Sequence, residues 1–333
     1  MQANYDALLI VSFGGPEDMD EVLPFLENVL RGKNVPHERM LHVARHYELF
    51  GGVSPINAQN RAMIAALEQE LCAHEMKLPI YWGNRNWQPY LADTLRQMRA
   101  DGIQHALAFF TSAYSSYSGC RQYREDIQRA QAEVGIGAPQ VDKLRVFYNH
   151  PGFIAANVER VCAAFEQIPP ERRDKTTLIF TAHSIPLSMA EHSDYVAQLE
   201  ETSRLVAEGA GHADWQLAYQ SRSGSPRQPW LEPDIKVALR DLHASGTRDV
   251  VVMPIGFISD HMEVLYDLDT EARQLSSELG LNMIRAATAG THPAFVAMIR
   301  ELIVERMNGG EKRALGLVAA DHDSCPADCC LAG

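Results

Sequence analysis

His183 closes the run Thr181-Ala182-His183-Ser184-Ile185-Pro186, directly after an apolar, strand-like segment. An imidazole in that place can accept a proton near neutral pH or ligate a metal. Taken alone, it is equally consistent with a cap on the following helix or a bond to a loop carbonyl. Glu263 ends Gly256-Phe257-Ile258-Ser259-Asp260-His261-Met262-Glu263, after the most apolar run, Val250–Ile255. Asp267 and Glu271 follow it at helical spacing, which sets three carboxylates in one row along a helix. Such a row repels itself unless a cation or solvent relieves it, and hard divalent cations take oxygen ligands. A solvated acidic face near a helix N-terminus is the plain alternative, and it weighs least on Glu263, beside the strand end.

Other clusters are weaker taken singly. Phe13-Gly14-Gly15-Pro16-Glu17 and Gly51-Gly52-Val53-Ser54-Pro55-Ile56 are glycine turns entering helices. They would let backbone approach a ligand or aim N–H groups at an anion; Ser54 could equally be a simple helix cap. Neither has the spacing of a phosphate-binding loop or a dinucleotide fingerprint. Thr111–Cys120 and Tyr123 supply hydroxyls and aromatic faces, suited to a flat aromatic ligand with carboxylate edges, or to an ordinary polar loop.

The elements that must position these groups alternate. Strands are predicted at Tyr5–Ser12, Pro79–Gly83, Ala106–Ser112, Leu144–Tyr148, Thr177–Ala182, Gln216–Gln220, Val250–Ile255 and Asn282–Arg285. Helices are predicted at about Asp18–Arg31, Gln59–Met76, Tyr90–Arg99, Tyr123–Glu133, Phe153–Gln167, Ser188–Glu208, Ile235–Ala244, His261–Leu279 and Pro293–Arg306. This pattern implies an α/β protein with parallel sheets covered on both faces. Two such sheets, in domains over 1–147 and 148–310, fit the length better than one wide sheet, leaving a tail over 311–333. The unusual clusters fall at carboxyl ends of strands, where open parallel sheets bind ligands. That shared placement argues for one composite site in a cleft.

The chain has 333 residues and a net charge of −13, which argues against an electrostatic nucleic-acid binder. The N-terminus, Met1-Gln2-Ala3-Asn4-Tyr5-Asp6, lacks the basic and apolar regions of a signal peptide. No apolar run approaches the length of a membrane span, so a cytoplasmic location is expected. Six cysteines are present, and in that compartment they are not read as a disulfide framework. Cys72 and Cys120 read as buried or inert thiols. Cys325, Cys329 and Cys330 crowd a tail that has little means of packing by itself.

Taken together, Ser12–Glu17, Phe50–Ile56, Thr181–Pro186, Tyr219–Gly224, Gln228–Pro233 and Pro254–Asp269 resemble the ferrochelatase family, in order and spacing and over nearly the whole chain. The resemblance implies two Rossmann-like domains of related topology with a porphyrin cleft between them, and His183 and Glu263 facing each other across the ring as catalytic groups and Fe²⁺ ligands. It also implies porphyrin contacts at Phe13, Ser54 and Tyr123, while Asp267 and Glu271 would form an outer cation site. His46–Asn57 and Tyr81–Trp87 look most similar to the bacterial, actinobacterial-type coproporphyrin III ferrochelatases. Protoporphyrin IX as substrate, a haem or porphyrin carrier, and a cobalt or nickel chelatase stay as alternatives. Some members of the family bind a [2Fe-2S] cluster, and the resemblance puts its ligands at Cys162, Cys325, Cys329 and Cys330. A reactive tail or a zinc site is the competing reading.

Overall fold

Two four-stranded sheets, each wholly parallel, share one topology in the computed structural model, which describes residues 5–33, 35–224 and 227–333. The first comprises β1 (Ala7–Ser12), β2 (Ile80–Asn84), β3 (His105–Phe110) and β4 (Gln140–Lys143), in the order β2-β1-β3-β4. The second comprises β5 (Thr177–His183), β6 (Trp215–Gln220), β7 (Asp249–Met253) and β8 (Asn282–Arg285), in the order β6-β5-β7-β8. In each, the strand that comes first in the chain sits inside the sheet, with the second strand on one side and the third on the other. Met1–Asn4, on which the leader reading partly rests, lie outside the described residues, as do Asn34, Ser225 and Pro226.

Side-chain alternation along the strands builds the cores. Leu8 and Ile10 of β1, Leu178 and Phe180 of β5, and Val251 and Met253 of β7 enter one core shared by both sheets. Their odd-numbered neighbours Ala7, Leu9 and Val11 face a separate cluster with α4 (Leu91–Ala100) and α5 (Gln122–Val134). Strands buried on both faces read as continuous apolar runs, which is why most were visible in the sequence.

The remaining helices are α1 (Met19–Leu30), α2 (His37–Glu48), α3 (Ile56–Ala73), α6 (Pro151–Phe165), α7 (Pro170–Arg173), α8 (Leu187–Ala190), α9 (Tyr195–Ala210), α10 (Ile235–Ala244), α11 (Met262–Val264), α12 (Arg273–Leu279) and α13 (Pro293–Asn308). Two segments, Tyr117–Arg121 and Leu265–Ala272, wind as π-helix. Helix α13 packs on both α3 and α6, so the last helix returns to the first half of the chain.

Three expectations need correction. Helix α2 was not anticipated. Leu144–Tyr148 is no strand: it is a buried crossover after β4, and a run buried on every side has the apolar look of a strand. The span Ser188–Glu208 divides into α8 and α9 around polar residues 191–194.

The crossover carries a buried ion pair. Arg145 meets Glu305 of α13 through two bonds of 2.7 and 3.0 Å and donates to the Arg313 carbonyl at 2.8 Å. From there the tail runs without helix or strand among the described residues and takes its shape from the body. Leu315 N–H donates to Asn149 O at 2.9 Å, and Asn149 Nδ2 donates to Val318 O at 2.9 Å. Among the described residues, no helix is long and apolar enough to cross a membrane.

Candidate active site

His183 is the last residue of β5, and two bonds hold its backbone and ring. Tyr195 Oη donates to His183 O at 3.0 Å, and the ring Nδ1 lies against Ser184 O. A carbonyl only accepts, so Nδ1 carries the proton and the neutral ring keeps its lone pair on Nε2. Glu263 arrives from the adjacent strand. The loop after β7 passes so close to β5 that a Cβ at Gly256 would stand 2.6 Å from the Ala182 Cβ. Only glycine lets this loop turn there, which carries Glu263 to the end of β5. Arg285 clamps the loop through Asp260 at 3.1 and 3.2 Å, and Asp260 N–H reaches Gln59 of α3 at 2.8 Å.

His183 Nε2 and Glu263 Oε2 are 3.6 Å apart. This corrects the expectation that they face each other across a ring. A π-system held between two groups needs about 7 Å, twice a van der Waals contact, so in this structure the two groups share a single wall. Burial disfavours the charged His183, but the Glu263 carboxylate and the Ser184 carbonyl outweigh it and raise the pKa above its ordinary value. Burial likewise opposes ionisation of Glu263, and here His183 prevails and pulls the carboxyl well below the usual range. His261, which sequence reasoning passed over, accepts the Glu263 N–H on Nδ1 at 3.2 Å. Burial, opposed by Glu263 and aided by His183, lowers its pKa and favours the neutral ring.

The acidic row lies on the π-helical segment. Burial pushes Asp267 up to about 7; Ser221, whose hydroxyl donates to it, pulls the other way, while the charges of Glu263 and Glu271 add to the rise. Glu271 is neutralised by Lys236 at 2.9 Å. Among the described residues, Glu263, Asp267 and Glu271 are not gathered tightly enough to form a ready ligand set.

At the end of β1, Phe13 is 36% exposed. The Arg85 guanidinium lies 5.7 Å from the Phe13 ring and 4.6 Å from that of Tyr123. Tyr123 is buried and stacks on Phe110 at 5.2 Å. Arg85, paired with Asp126, is the missed member of this layered group; a cation between two aromatic faces leaves no periodic signature in a sequence. Ser54 is only 4% exposed and packs under Gly15, where a Cβ would stand 2.7 Å from the Ser54 Cβ. Burial and the charge of Arg85 lower the pKa of Lys33, and the charge of Glu263 opposes them.

The cysteines depart most from expectation. Cys72 is exposed. Cys325, Cys329 and His322 bring their ligand atoms within 4.8 Å of one another. Cys329 and Cys330 lie 3.5 Å apart, and the buried Cys120 interacts with both Cys325 and Cys330. Contact with Cys120, then burial, pushes the Cys325 thiol up to about 12. Among the described residues no hydrogen bond or ligand grouping connects Cys162 to them: it lies on α6, beside the charges of Glu159 and Glu166. A helix position gave the sequence no means of reporting which face its thiol takes in the tertiary fold.

Two parallel-sheet lobes with ligand groups at the strand ends define a chelatase-type fold. SirB from Bacillus subtilis with Fe³⁺ superposes with a TM-score of 0.54 at 15% identity, covering 92% of this chain and 98% of that one. The ferrochelatase family model matches residues 5–307, and the chain belongs to the ferrochelatase family. A ferrochelatase from Rhodopirellula baltica is 60% identical over 98% of this chain and 93% of its own length. A coproporphyrin III ferrochelatase from Streptomyces coelicolor is 51% identical over 98% and 94%.

Proposed function

We propose that the protein inserts Fe²⁺ into coproporphyrin III, yielding the iron porphyrin and two protons, in the cytoplasm and on the route to haem. The observation that carries this reading is the His183–Glu263 pair, 3.6 Å apart at adjacent strand ends in a chain of the ferrochelatase family. The choice of porphyrin draws on the Streptomyces relative. In the same reading the chain divides into units 1–147 and 148–310 with a tail at 311–333.

Metallation requires loss of two pyrrole protons and a dehydrated iron at the ring centre. His183 Nε2 holds the available lone pair and accepts a pyrrole proton. Glu263 stabilises the resulting imidazolium and offers oxygen to the incoming Fe²⁺ from the same wall. Asp267, poised near neutrality, takes protons onward along the π-helical segment. Phe13 supplies aromatic surface to the ring, Tyr123 backs it through Arg85, and Ser54 supports the turn that presents Phe13. Edge contacts from the propionates offset the strain of holding a distorted ring.

A [2Fe-2S] cluster belongs to this reading, held by Cys325, Cys329 and Cys330 with one further thiolate; the gathered donor set fits such a group. When bound, it supplies a one-electron redox centre and a rigid link for the tail. A direct assay compares Fe²⁺ insertion into coproporphyrin III and protoporphyrin IX, with Co²⁺ as the control metal. Faster turnover of coproporphyrin III with iron is expected. A preference for protoporphyrin IX would transfer the assignment to that substrate, and tight porphyrin binding without turnover would leave a carrier.

A further inference from the structure

We propose that Asp321 of the tail is a positioning residue for iron insertion: it locks the loop after β3, residues 111–116, onto α9, and these two elements hold the backbone beside each member of the catalytic pair. This role rests on the insertion reading above and adds to it a segment that the family match, ending at residue 307, leaves outside. Ser115 Oγ donates to Asp321 Oδ2 at 3.1 Å, and Gln198 Nε2 of α9 reaches the same oxygen at 3.4 Å. The two body residues also hold each other. Ser115 N–H donates to Gln198 Oε1 at 2.7 Å, and Gln198 Nε2 donates to Ser115 Oγ at 3.0 Å. Ser115 and Gln198 are only 6% and 5% exposed, so without the carboxylate a buried hydroxyl and a buried amide proton would lose their acceptor.

The tail presents that carboxylate in a fixed pose. Asp321 Oδ1 accepts from the His322 N–H at 2.7 Å and lies 2.6 Å from His322 Nδ1. Lys312 Nζ donates to Asp321 O at 3.0 Å and pairs with Asp323 at 2.8 Å. One oxygen of Asp321 thus serves the tail and the other serves the body. Hydrogen bonds to an ionised acceptor are stronger than neutral ones, which suits a single side chain that must hold a segment without helix or strand of its own.

From this junction two tyrosines lead to the catalytic groups. Tyr114, next to Ser115 and 1% exposed, donates to Ile255 O at 2.9 Å, directly before Gly256 and the loop that carries Glu263. Tyr195, three residues before Gln198 on α9, donates to His183 O at 3.0 Å. The two tyrosine rings meet edge to face at 6.2 Å. The spacing of His183 and Glu263 therefore depends on two braces whose neighbours, Ser115 and Gln198, share one carboxylate from the tail. Freeing Asp321 loosens both braces, and small misplacements of reacting groups cost rate more than binding.

The test uses the full chain as wild type, Asp321→Ala, Asp321→Asn, Ser115→Ala, Tyr114→Phe and the pair Asp321→Ala with Tyr114→Phe. Fe²⁺ insertion into coproporphyrin III gives kcat and KM, and amide hydrogen exchange is followed across residues 256–263. Asp321→Ala should lower kcat about 10-fold and leave the porphyrin KM within about twofold of wild type. Ser115→Ala, which cuts the junction from the body side, should do the same. Asp321→Asn keeps an oxygen toward Ser115 and Gln198 and should recover most of the rate. Because Asp321 acts in part through Tyr114, the paired variant should lose less than the product of the two single losses. Exchange across 256–263 should quicken in Asp321→Ala and in Tyr114→Phe alike. Wild-type kcat in Asp321→Ala, losses that multiply in full, or unchanged exchange would overturn the role of Asp321. A wild type that binds porphyrin and inserts no iron would instead overturn the insertion reading, and the exchange rates would still decide whether the tail braces the Glu263 loop.

Discussion

The bond from Nδ1 of His183 to the Ser184 carbonyl decides what the ring can do, because it leaves Nε2 as the only site for a proton or a metal. That nitrogen faces Glu263, whose charge keeps the imidazolium stable to higher pH than the ordinary 6.5. Insertion should therefore rise with pH as His183 loses its proton, with an inflection above that value. Glu263→Gln removes the anion, so the inflection should move to lower pH, while the rate falls by about 100-fold or more. A profile whose inflection stays in place in Glu263→Gln would show that another group is the base. His183→Ala should lose a similar factor and the inflection itself. From residue types alone this pair was half legible. The motif positions stood out, but only the Gly256 approach to Ala182 shows that the two groups share a wall.

At the scale of elements, the π-helical winding over Leu265–Ala272 is what the sequence concealed. Inserting a wider turn leaves the apolar spacing close to that of an α-helix, so His261–Leu279 read as one regular helix. Such π segments concentrate at functional sites, and here the winding carries Asp267. Its raised pKa has a consequence for stability. Between the ordinary 3.8 and about 7 the folded state binds the proton that the unfolded chain has released. Stability therefore falls as pH rises through that window, and the cost persists above it. Asp267→Asn removes the cost and should melt above wild type at pH 8, with the gap closing as pH falls toward 4. An equal gap at both ends would rule out titration of Asp267 as its source. Helix α2 was hidden for a different reason. It has no side-chain cap, starts after Pro36, and buries only Met40, Ala44 and Tyr47 among histidines and arginines. Seven of the eight strands were legible because burial leaves apolar runs, as in Val250–Ile255, whereas the half-exposed Gln140–Lys143 of β4 carries no such run.

For the whole molecule, the shared core between the sheets and the return of α13 to α3 make the two lobes one folding problem. The sequence predicted the lobes but not what fastens them, because the fastening depends on residues far apart in the chain. Cys120 and the tail thiols are one case; Arg145 and Glu305 are another. The Arg145 guanidinium is 1% exposed and its only carboxylate partner among the described residues is Glu305. Glu305→Gln should leave that cation uncompensated and cost about 3–5 kcal/mol, read as a lower urea midpoint with an unchanged slope. Replacing both partners, as in Arg145→Met with Glu305→Leu, should recover most of the loss, because a packed apolar pair needs no counter-charge. Arg145 also holds the Arg313 carbonyl, so the double variant, which lacks Arg145, should free the start of the tail and speed its removal by protease. If the double variant regained stability but kept a protected tail, the tail would be held by its thiols and the Asn149 bonds without help from Arg145.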